Sequence, residues 1–288
     1  MNLFSCENIA KKYNNEPVVQ NISVELPQGG FISLLGPSGA GKTTLFNVLS
    51  GVDKPDCGRI ILNGEDITGK TGKVSYMLQK DLLLEYRTVL DNVILPLLIR
   101  GEKKKLSRQY AAGFFELFGL SGYENKYPNE LSGGMRQRAA LLRTCLAAGK
   151  SANAAADLRL DTVGADANLR LETAGAADIV ETKDQSGIPH NSVILLDEPF
   201  SALDAITRRK MQMWYADIAS RMNISTLFIT HDVEEALVLS DVVYILNGKP
   251  GKITHKIDVK PDRPRGASFA VSVEFAQQKK LILDAIGI

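Results

Sequence analysis

Lys42 and Thr43 close the string Gly36-Pro37-Ser38-Gly39-Ala40-Gly41-Lys42-Thr43, a glycine-rich loop ending in Gly-Lys-Thr. Residue types at this spacing grip phosphate. Glycines let successive backbone amides turn inward, and the following helix adds its positive end. A lysine here would reach the outer phosphates, and the threonine hydroxyl would ligate Mg²⁺. A ligand-free glycine turn is the alternative. The flanks argue against it, because the apolar run Phe31–Leu35 precedes the loop and a helical pattern, Thr44–Leu49, follows.

Two carboxylates, Asp197 and Glu198, end the apolar run that starts at Val193. An Asp at that place can hold Mg²⁺ through water, and the next Glu can orient or deprotonate an attacking water. Acidic residues are common at strand ends, so this pair gains meaning only beside a phosphate loop. His231 follows another apolar run, Leu227–Thr230, where its imidazole could donate a hydrogen bond to a phosphate or serve the fold alone. His190 and His255 lack such context and read as surface residues. Leu131-Ser132-Gly133-Gly134 opens a helix running through Met135-Arg136-Gln137-Arg138. That start is either a second anion-binding helix terminus or a plain serine-capped helix.

The elements that must position these groups are legible in outline. Residues 1–78 are strand-rich. Alternation at Phe4–Ile9 and Ile22–Leu26, with the buried run Phe31–Leu35, predicts a mixed sheet, and Gly58–Gly64 reads as another strand ending in a turn at Asn63-Gly64. From Thr88 to about Gly149 the pattern is helical. Leu90, Val93, Ile94, Leu97 and Leu98 share a face, Pro96 interrupts it, and Phe114, Phe115, Leu117 and Phe118 fit in part. Val193–Leu196 and Thr226–Ile229 read as strands covered on both faces. They alternate with helices at Ala205–Met222 and Val233–Leu239. Alternation around a phosphate loop means an α/β fold with a largely parallel sheet.

Composition sets the outer limits. The 288 residues carry 34 basic and 33 acidic side chains, which argues against a global basic field and against nucleic acid as a partner. Cys6, Cys57 and Cys145 show no metal spacing and read as incidental thiols of a reducing compartment. The N-terminus lacks a signal-peptide pattern. The longest apolar run, Val93–Ile99, contains Pro96 and is too short to span a bilayer. A soluble chain is expected, with any membrane role exercised through a partner.

Together these strings resemble the nucleotide-binding subunits of ABC transporters. Gly36–Thr43 matches the family's Walker A, Val193–Glu198 its Walker B and Leu131–Gln137 its signature. Gln79, in Tyr76-Met77-Leu78-Gln79, matches the Q-loop, Ser201-Ala202-Leu203-Asp204 the D-loop, and Thr230-His231-Asp232 the H-loop. The resemblance implies the P-loop ABC ATPase fold: a mixed β-sheet core, a β-rich N-terminal part and a helical subdomain at about 80–149. The ATPase domain would span 1–248 and a C-terminal extension 249–288. It implies ATP and Mg²⁺ as cofactors. Nucleotide contacts would come from Tyr13, stacked on adenine, and from Gly36 through Pro37, Ser38, Gly39, Ala40, Gly41, Lys42 and Thr43 to Thr44. Glu198 would be the general base, with His231 at the γ-phosphate, and Gln79 would complete the catalytic set. Thr43, Gln79 and Asp197 would serve Mg²⁺, partly through water. Two copies would pair head to tail, each ATP lying between one copy's Walker A and Ser132, Gly133 and Gly134 of the other, with Asp204 in the D-loop. Integral membrane permeases and a separate substrate-binding protein are implied partners, with the chain on the cytoplasmic face of the membrane.

Arg136-Gln137-Arg138, the stretch Phe200–Arg208 and Asp262-Arg263-Pro264-Arg265 further resemble the nitrate/sulfonate/taurine-type importer ATPases, a subfamily that also serves pyrimidine-type vitamin precursors. Those relatives usually carry Pro-Trp near Glu85-Tyr86, in the segment Asp81–Arg87 that would face a membrane subunit. Lys103-Lys104-Lys105 reads as a solvated run, with anionic headgroups or an acidic partner loop as the alternative. A soluble ABC ATPase uncoupled from transport is the competing reading of the whole.

One stretch departs from the family. Relatives pass from the signature helix to Walker B in far fewer residues than the interval from Arg138 to Val193. The insertion, about 150–192, lacks aromatics and holds a near-repeat. Ala156-Asp157-Leu158-Arg159-Leu160-Asp161-Thr162 recurs as Ala167-Asn168-Leu169-Arg170-Leu171-Glu172-Thr173. Its alternation predicts a β-flap, with a third strand at 178–182, against a disordered insertion.

Overall fold

The computed structural model describes residues 2–148, 192–263, 265 and 267–287. The β-flap expected within 150–192, and His190, lie outside them. The chain forms two compact units, Met1–Gln79 with Asn191–Ile288, and Lys80–His190.

In the first unit, β1 (Asn2–Tyr13) and β2 (Glu16–Pro27) are antiparallel, and β1 also pairs β4 (Cys57–Leu62), which pairs β5 (Glu65–Asp66). Both hairpin turns follow from their residues. Asn14 and Asn15 (φ 51° and 66°) and Asn63 and Gly64 (φ 52° and 79°) take the left-handed pairs that two-residue turns require. The single mixed sheet expected over residues 1–78 divides in two. β3 (Phe31–Leu35) and β6 (Ser75–Met77) leave this antiparallel sheet for a second one. β3 is buried at all five positions, which suits a central strand covered on both faces, whereas β1 and β2 alternate.

The second sheet has the order β10-β9-β3-β8-β7-β6. Its further members are β7 (Val193–Asp197), β8 (Ser225–Thr230), β9 (Val242–Asn247) and β10 (Lys252–Asp258). All neighbours are parallel except β9 and β10. The register is what assembles the site. Leu35 lies opposite Thr230, Asp197 opposite Ile229, and Met77 opposite Leu196. The carboxyl ends of four strands therefore share one edge, where α/β folds place ligands.

Helices α1 (Lys42–Leu49), α6 (Ala205–Arg221), α7 (Val233–Leu239) and α8 (Val273–Ile286) belong to this unit. α6 buries Met211, Gln212, Tyr215, Ile218 and Ala219, a stripe at helical spacing. The Phe31 ring meets Tyr215 and Phe228 edge-on, with centroids 5.7 Å and 5.4 Å away. The charged string near the C-terminus is structural. Arg263 grips Asp241 through Nε (2.7 Å) and Nη2 (2.8 Å), donates to the Gly29 carbonyl at 3.1 Å, and lies 5.0 Å over the Phe31 ring. Arg265 is 6% exposed and donates to the carbonyls of Pro261, Val238, Ser240 and Val259. Burial pulls its pKa down to about 10.

The second unit holds α2 (Val89–Val93), α3 (Leu95–Ile99), α4 (Lys104–Ala112) and α5 (Gly133–Ala148). Pro96 sits in the first turn of α3, so the expected interruption falls at Ile94. The helical spacing through Phe118 is not helix throughout. α4 stops at Ala112, Gly113 caps it, and turns carry Phe114, Phe115 and Phe118 into the core, with Gly119 left-handed at φ 61°. On α5, Arg143 donates to the Leu82 carbonyl at 2.9 Å and to that of Asp81, while Arg136 lies 3.3 Å from the Asp81 carboxylate. Those bonds hold the residues just after Gln79, including Leu82 at φ 48°. Lys103, Lys104 and Lys105 are exposed, with Lys104 3.6 Å from Asp91. Cys6 and Cys145 are buried, with pKa pushed up to about 12 by that burial, and Cys57 is exposed. Among the described residues no helix is long and apolar enough to cross a membrane.

Candidate functional site

The glycine loop leaves β3 at Leu35 and enters α1 at Lys42. Two of its glycines have no substitute. A Cβ on Gly36 would stand 2.1 Å from the Leu246 carbonyl oxygen. Gly41, at φ 90°, would place a Cβ 2.6 Å from Val19 Cγ1. Lys42 is 8% exposed and donates to the carbonyls of Gly36 (2.8 Å) and Pro37 (2.9 Å). Burial lowers its pKa, and the charges of Glu198 and Asp197 oppose that shift. The loop bounds a cavity of 310 Å³, within the usual range for ligand sites. Ser38, Gly39, Gly41, Lys42, Thr43 and Thr44 line it together with Gln79, Asp197 and Glu198. Gly36, Pro37, Ala40 and Tyr13, also expected at the nucleotide, do not line it, and Val18 does.

Asp197 ends β7 and is 6% exposed. Its Oδ2 accepts from Thr43 Oγ1 at 3.2 Å and from the Tyr76 hydroxyl at 3.3 Å. Burial raises its pKa, against the lowering effect of those two bonds. Burial likewise drives the Tyr76 phenol up, helped by the Asp197 charge. Glu198 follows at φ 46°, a left-handed conformation that costs a non-glycine residue ~1–3 kcal/mol. The surroundings hold it there. Its N–H donates to the Ile229 carbonyl at 3.1 Å, and its carbonyl accepts from Ser201 Oγ at 3.0 Å. The result aims the carboxylate between two groups: Gln79 Nε2 donates to Oε2 at 2.9 Å, and His231 Nδ1 lies 3.2 Å from Oε1.

This donor set fits Mg²⁺. A hydroxyl, one buried carboxylate and an amide supply few ligands, leaving the rest of an octahedron to phosphate oxygens and water, as that ion prefers. No cluster of three or more His, Cys, Asp or Glu able to hold a metal exists among the described residues.

The remaining candidates sit as follows. Asp204 caps α6, accepting from the backbone N–H of Ile206 (3.1 Å) and Thr207 (3.0 Å). The Thr207 amide leads in drawing its pKa down. Tyr13 is 43% exposed, and its hydroxyl donates to Asp53 at 2.6 Å, a bond that raises its pKa to about 12. Lys11 lies 5.2 Å over the Tyr13 ring and bonds the same carboxylate at 2.9 Å. In the other unit, Ser132 Oγ accepts from Met135 N–H at 3.3 Å. The plain helix cap is thus formed, with Gly133 and Gly134 opening α5. Val18, which lines the cavity, and Tyr76, which bonds Asp197, are site residues that spacing did not reveal. Only Tyr76 carried a signal, as an aromatic at the strand end three residues before Gln79.

Comparison with known proteins places this geometry. The family model described as ABC transporter matches residues 19–151. The formylaminopyrimidine import ATP-binding protein of Halalkalibacterium halodurans is 34% identical over 91% of this chain and 87% of its own length. The aliphatic sulfonates import ATP-binding protein of Bacillus cereus is 32% identical over 95% of this chain and 90% of its own. Among solved structures, the ADP conformation of an ATP-binding cassette of an ABC transporter covers 98% of this chain and 99% of its own at TM-score 0.68 and 20% identity, a likeness of fold.

Proposed function

This chain belongs to the ABC transporter family of ATP-binding subunits, which are ATPases, and on that premise we propose that it powers import of a small organic solute through partner membrane permeases. The solute class we assign is sulfonate-like or pyrimidine-precursor-like. That choice rests on the subfamily strings and on the relatives whose names specify formylaminopyrimidine and aliphatic sulfonates. The balanced charge of 34 basic and 33 acidic side chains gives a nucleic-acid partner no support.

The observation that carries the catalytic reading is Glu198, held between Gln79 and His231 at the edge of the glycine-loop cavity. Lys42 releases the Gly36 and Pro37 carbonyls and meets the outer phosphates of ATP. Glu198 takes a proton from water as its oxygen attacks the γ-phosphorus. The bond from that phosphorus to the bridging oxygen breaks, and ADP and phosphate leave. His231 and Gln79 hold the carboxylate and the water in line. Thr43, Asp197 and Gln79 would hold Mg²⁺, which would offset phosphate charge. Tyr13 offers its half-exposed ring to the adenine. Ser132, Gly133 and Gly134 of a second copy close over the nucleotide. ATP then favours the closed pair through contacts that only the pair provides. The chain works at the cytoplasmic face of the membrane, with a separate substrate-binding protein delivering the solute.

Purification of the tagged chain from its native membrane tests the assembly, followed by solute uptake in cells lacking it. Two membrane permeases should copurify, and uptake of either taurine-like sulfonates or formylaminopyrimidine should vanish. Absence of any permease, with both uptakes intact, refutes the proposal.

A further inference from the structure

Behind His231 lies a buried polar post that ATP chemistry has not yet used. Glu235, on the first turns of α7, is 6% exposed. It accepts from the Thr230 hydroxyl and, at 3.1 Å, from Gln212 Nε2 on α6. Thr230 is itself 2% exposed, and its hydroxyl oxygen accepts from the Asp232 N–H at 3.0 Å. The residues on either side of His231 are therefore pinned through one hydroxyl, and that hydroxyl is pinned by Glu235. A second link runs outward. Arg208 lies 3.8 Å from the Asp232 carboxylate and donates to the Leu203 carbonyl at 2.9 Å, just before Asp204.

A buried carboxylate is a costly way to hold a strand end, since an apolar side chain would fill the space without desolvating charge. Burial indeed raises the Glu235 pKa, with its Thr230 and Gln212 bonds opposing. The His231 side chain is 61% exposed, and its hydrogen-bond partner among the described residues is Glu198. Its direction thus depends on the backbone between Thr230 and Asp232.

We infer that Glu235 is a positioning residue for hydrolysis: through Thr230 it fixes the backbone that aims His231 at Glu198 and the γ-phosphate, and through Asp232 and Arg208 the same post is tied to the loop ending at Asp204. This rests on the proposed role of His231. Misplacement of a reacting group by about 1 Å costs up to ~100-fold in rate, so loss of the post should appear in kcat, leaving the glycine loop and ATP affinity intact.

The test uses the full chain. Glu235→Ala, Glu235→Gln, Thr230→Val and His231→Ala are compared in steady-state ATPase assays, with ATP affinity measured by calorimetry without Mg²⁺. Glu235→Ala and Thr230→Val should lower kcat about 10-fold or more while KM and Kd stay within ~2-fold. Glu235→Gln should keep kcat within ~3-fold, because a Gln oxygen can accept from Thr230 while Gln212 presents its own oxygen. Thr230→Val preserves strand and volume and decides the matter should Glu235→Ala fail to fold. Wild-type kcat in Glu235→Ala or Thr230→Val overturns the inference, as does parallel loss of kcat and ATP affinity, or a Gln variant as impaired as the Ala one. His231→Ala separates the two levels. Wild-type kcat there overturns the site reading and this inference with it. Loss there beside an unimpaired Glu235→Ala overturns the inference alone.

Discussion

Replacing Arg263 by Ala removes the clasp between the C-terminal segment and the central sheet. Three hydrogen bonds vanish: two in a fork on Asp241 and one to the Gly29 carbonyl. The arginine side chain is 16% exposed and the aspartate 33%, so solvent screens this pair only in part. Hydrogen bonds to charged groups contribute ~1.5–3 kcal/mol, and the fork on one carboxylate counts as one such interaction rather than two independent ones. Loss of the guanidinium over Phe31 adds ~1 kcal/mol. Asp241 keeps one donor, the Phe31 N–H at 2.8 Å, which limits the penalty of leaving it unpaired. With ~1 kcal/mol for the Gly29 bond, the total is about 3.5–5 kcal/mol, or roughly 7–20 °C in Tm at the ~2–4 °C per kcal/mol of a large domain. Differential scanning calorimetry of Arg263→Ala, Asp241→Asn and the double variant measures both the loss and the coupling. Coupling should reach ~1.5 kcal/mol or more, with ATP affinity unchanged at a temperature where all variants are folded. A Tm drop under ~2 °C with no coupling would show that the arginine is ornamental to the fold.

Two more predictions concern the site. Asp197→Asn should stabilise the nucleotide-free protein by on the order of 1 kcal/mol while abolishing hydrolysis. The sign follows from the raised pKa: the stability that Asp197 contributes is fully present below the ordinary carboxylate value near ~3.9 and is lost as pH rises through the elevated folded value. The Tm gain of the variant over wild type should therefore be larger at neutral pH than in acid, and an equal gain at both would count against burial as the cause. Gly36→Ala should cost ~2 kcal/mol or more and weaken ATP binding at least ~10-fold, since its Cβ meets the Leu246 carbonyl oxygen at 2.1 Å; wild-type affinity in calorimetry would show that the loop yields more easily than its packing implies.

The parts legible in the sequence are those written in short range. The glycine loop, the buried strand runs and the Asn63-Gly64 turn each encode their conformation within a few residues, and β3, β7 and β8 stand where their apolar runs are. Strand partnership was not legible. Nothing local tells Phe31–Leu35 to leave β1 and β2 and pair instead with β8, whose residues lie far along the chain. The same holds for the site. Lys42, Thr43, Asp197 and Glu198 announce themselves by type and spacing. Tyr76 on Asp197 and the post of Gln212, Glu235 and Thr230 depend on distant elements meeting, so no spacing rule finds them. Arg263 and Arg265 read as subfamily marks, and the structure shows what such marks do: they bind backbone carbonyls and Asp241 to close the fold.

The proposed role of Glu198 is to remove a proton from water while ATP bridges two copies of the chain. Glu198→Gln keeps the shape of the side chain and discards the base. Incubated with Mg·ATP and passed over a sizing column with light-scattering detection, this variant should run as a dimer with intact ATP bound, while wild type returns to monomer and ADP. Its turnover should fall by at least ~100-fold. A Glu198→Gln variant that hydrolyses ATP at the wild-type rate, or stays monomeric with ATP bound, rules that role out.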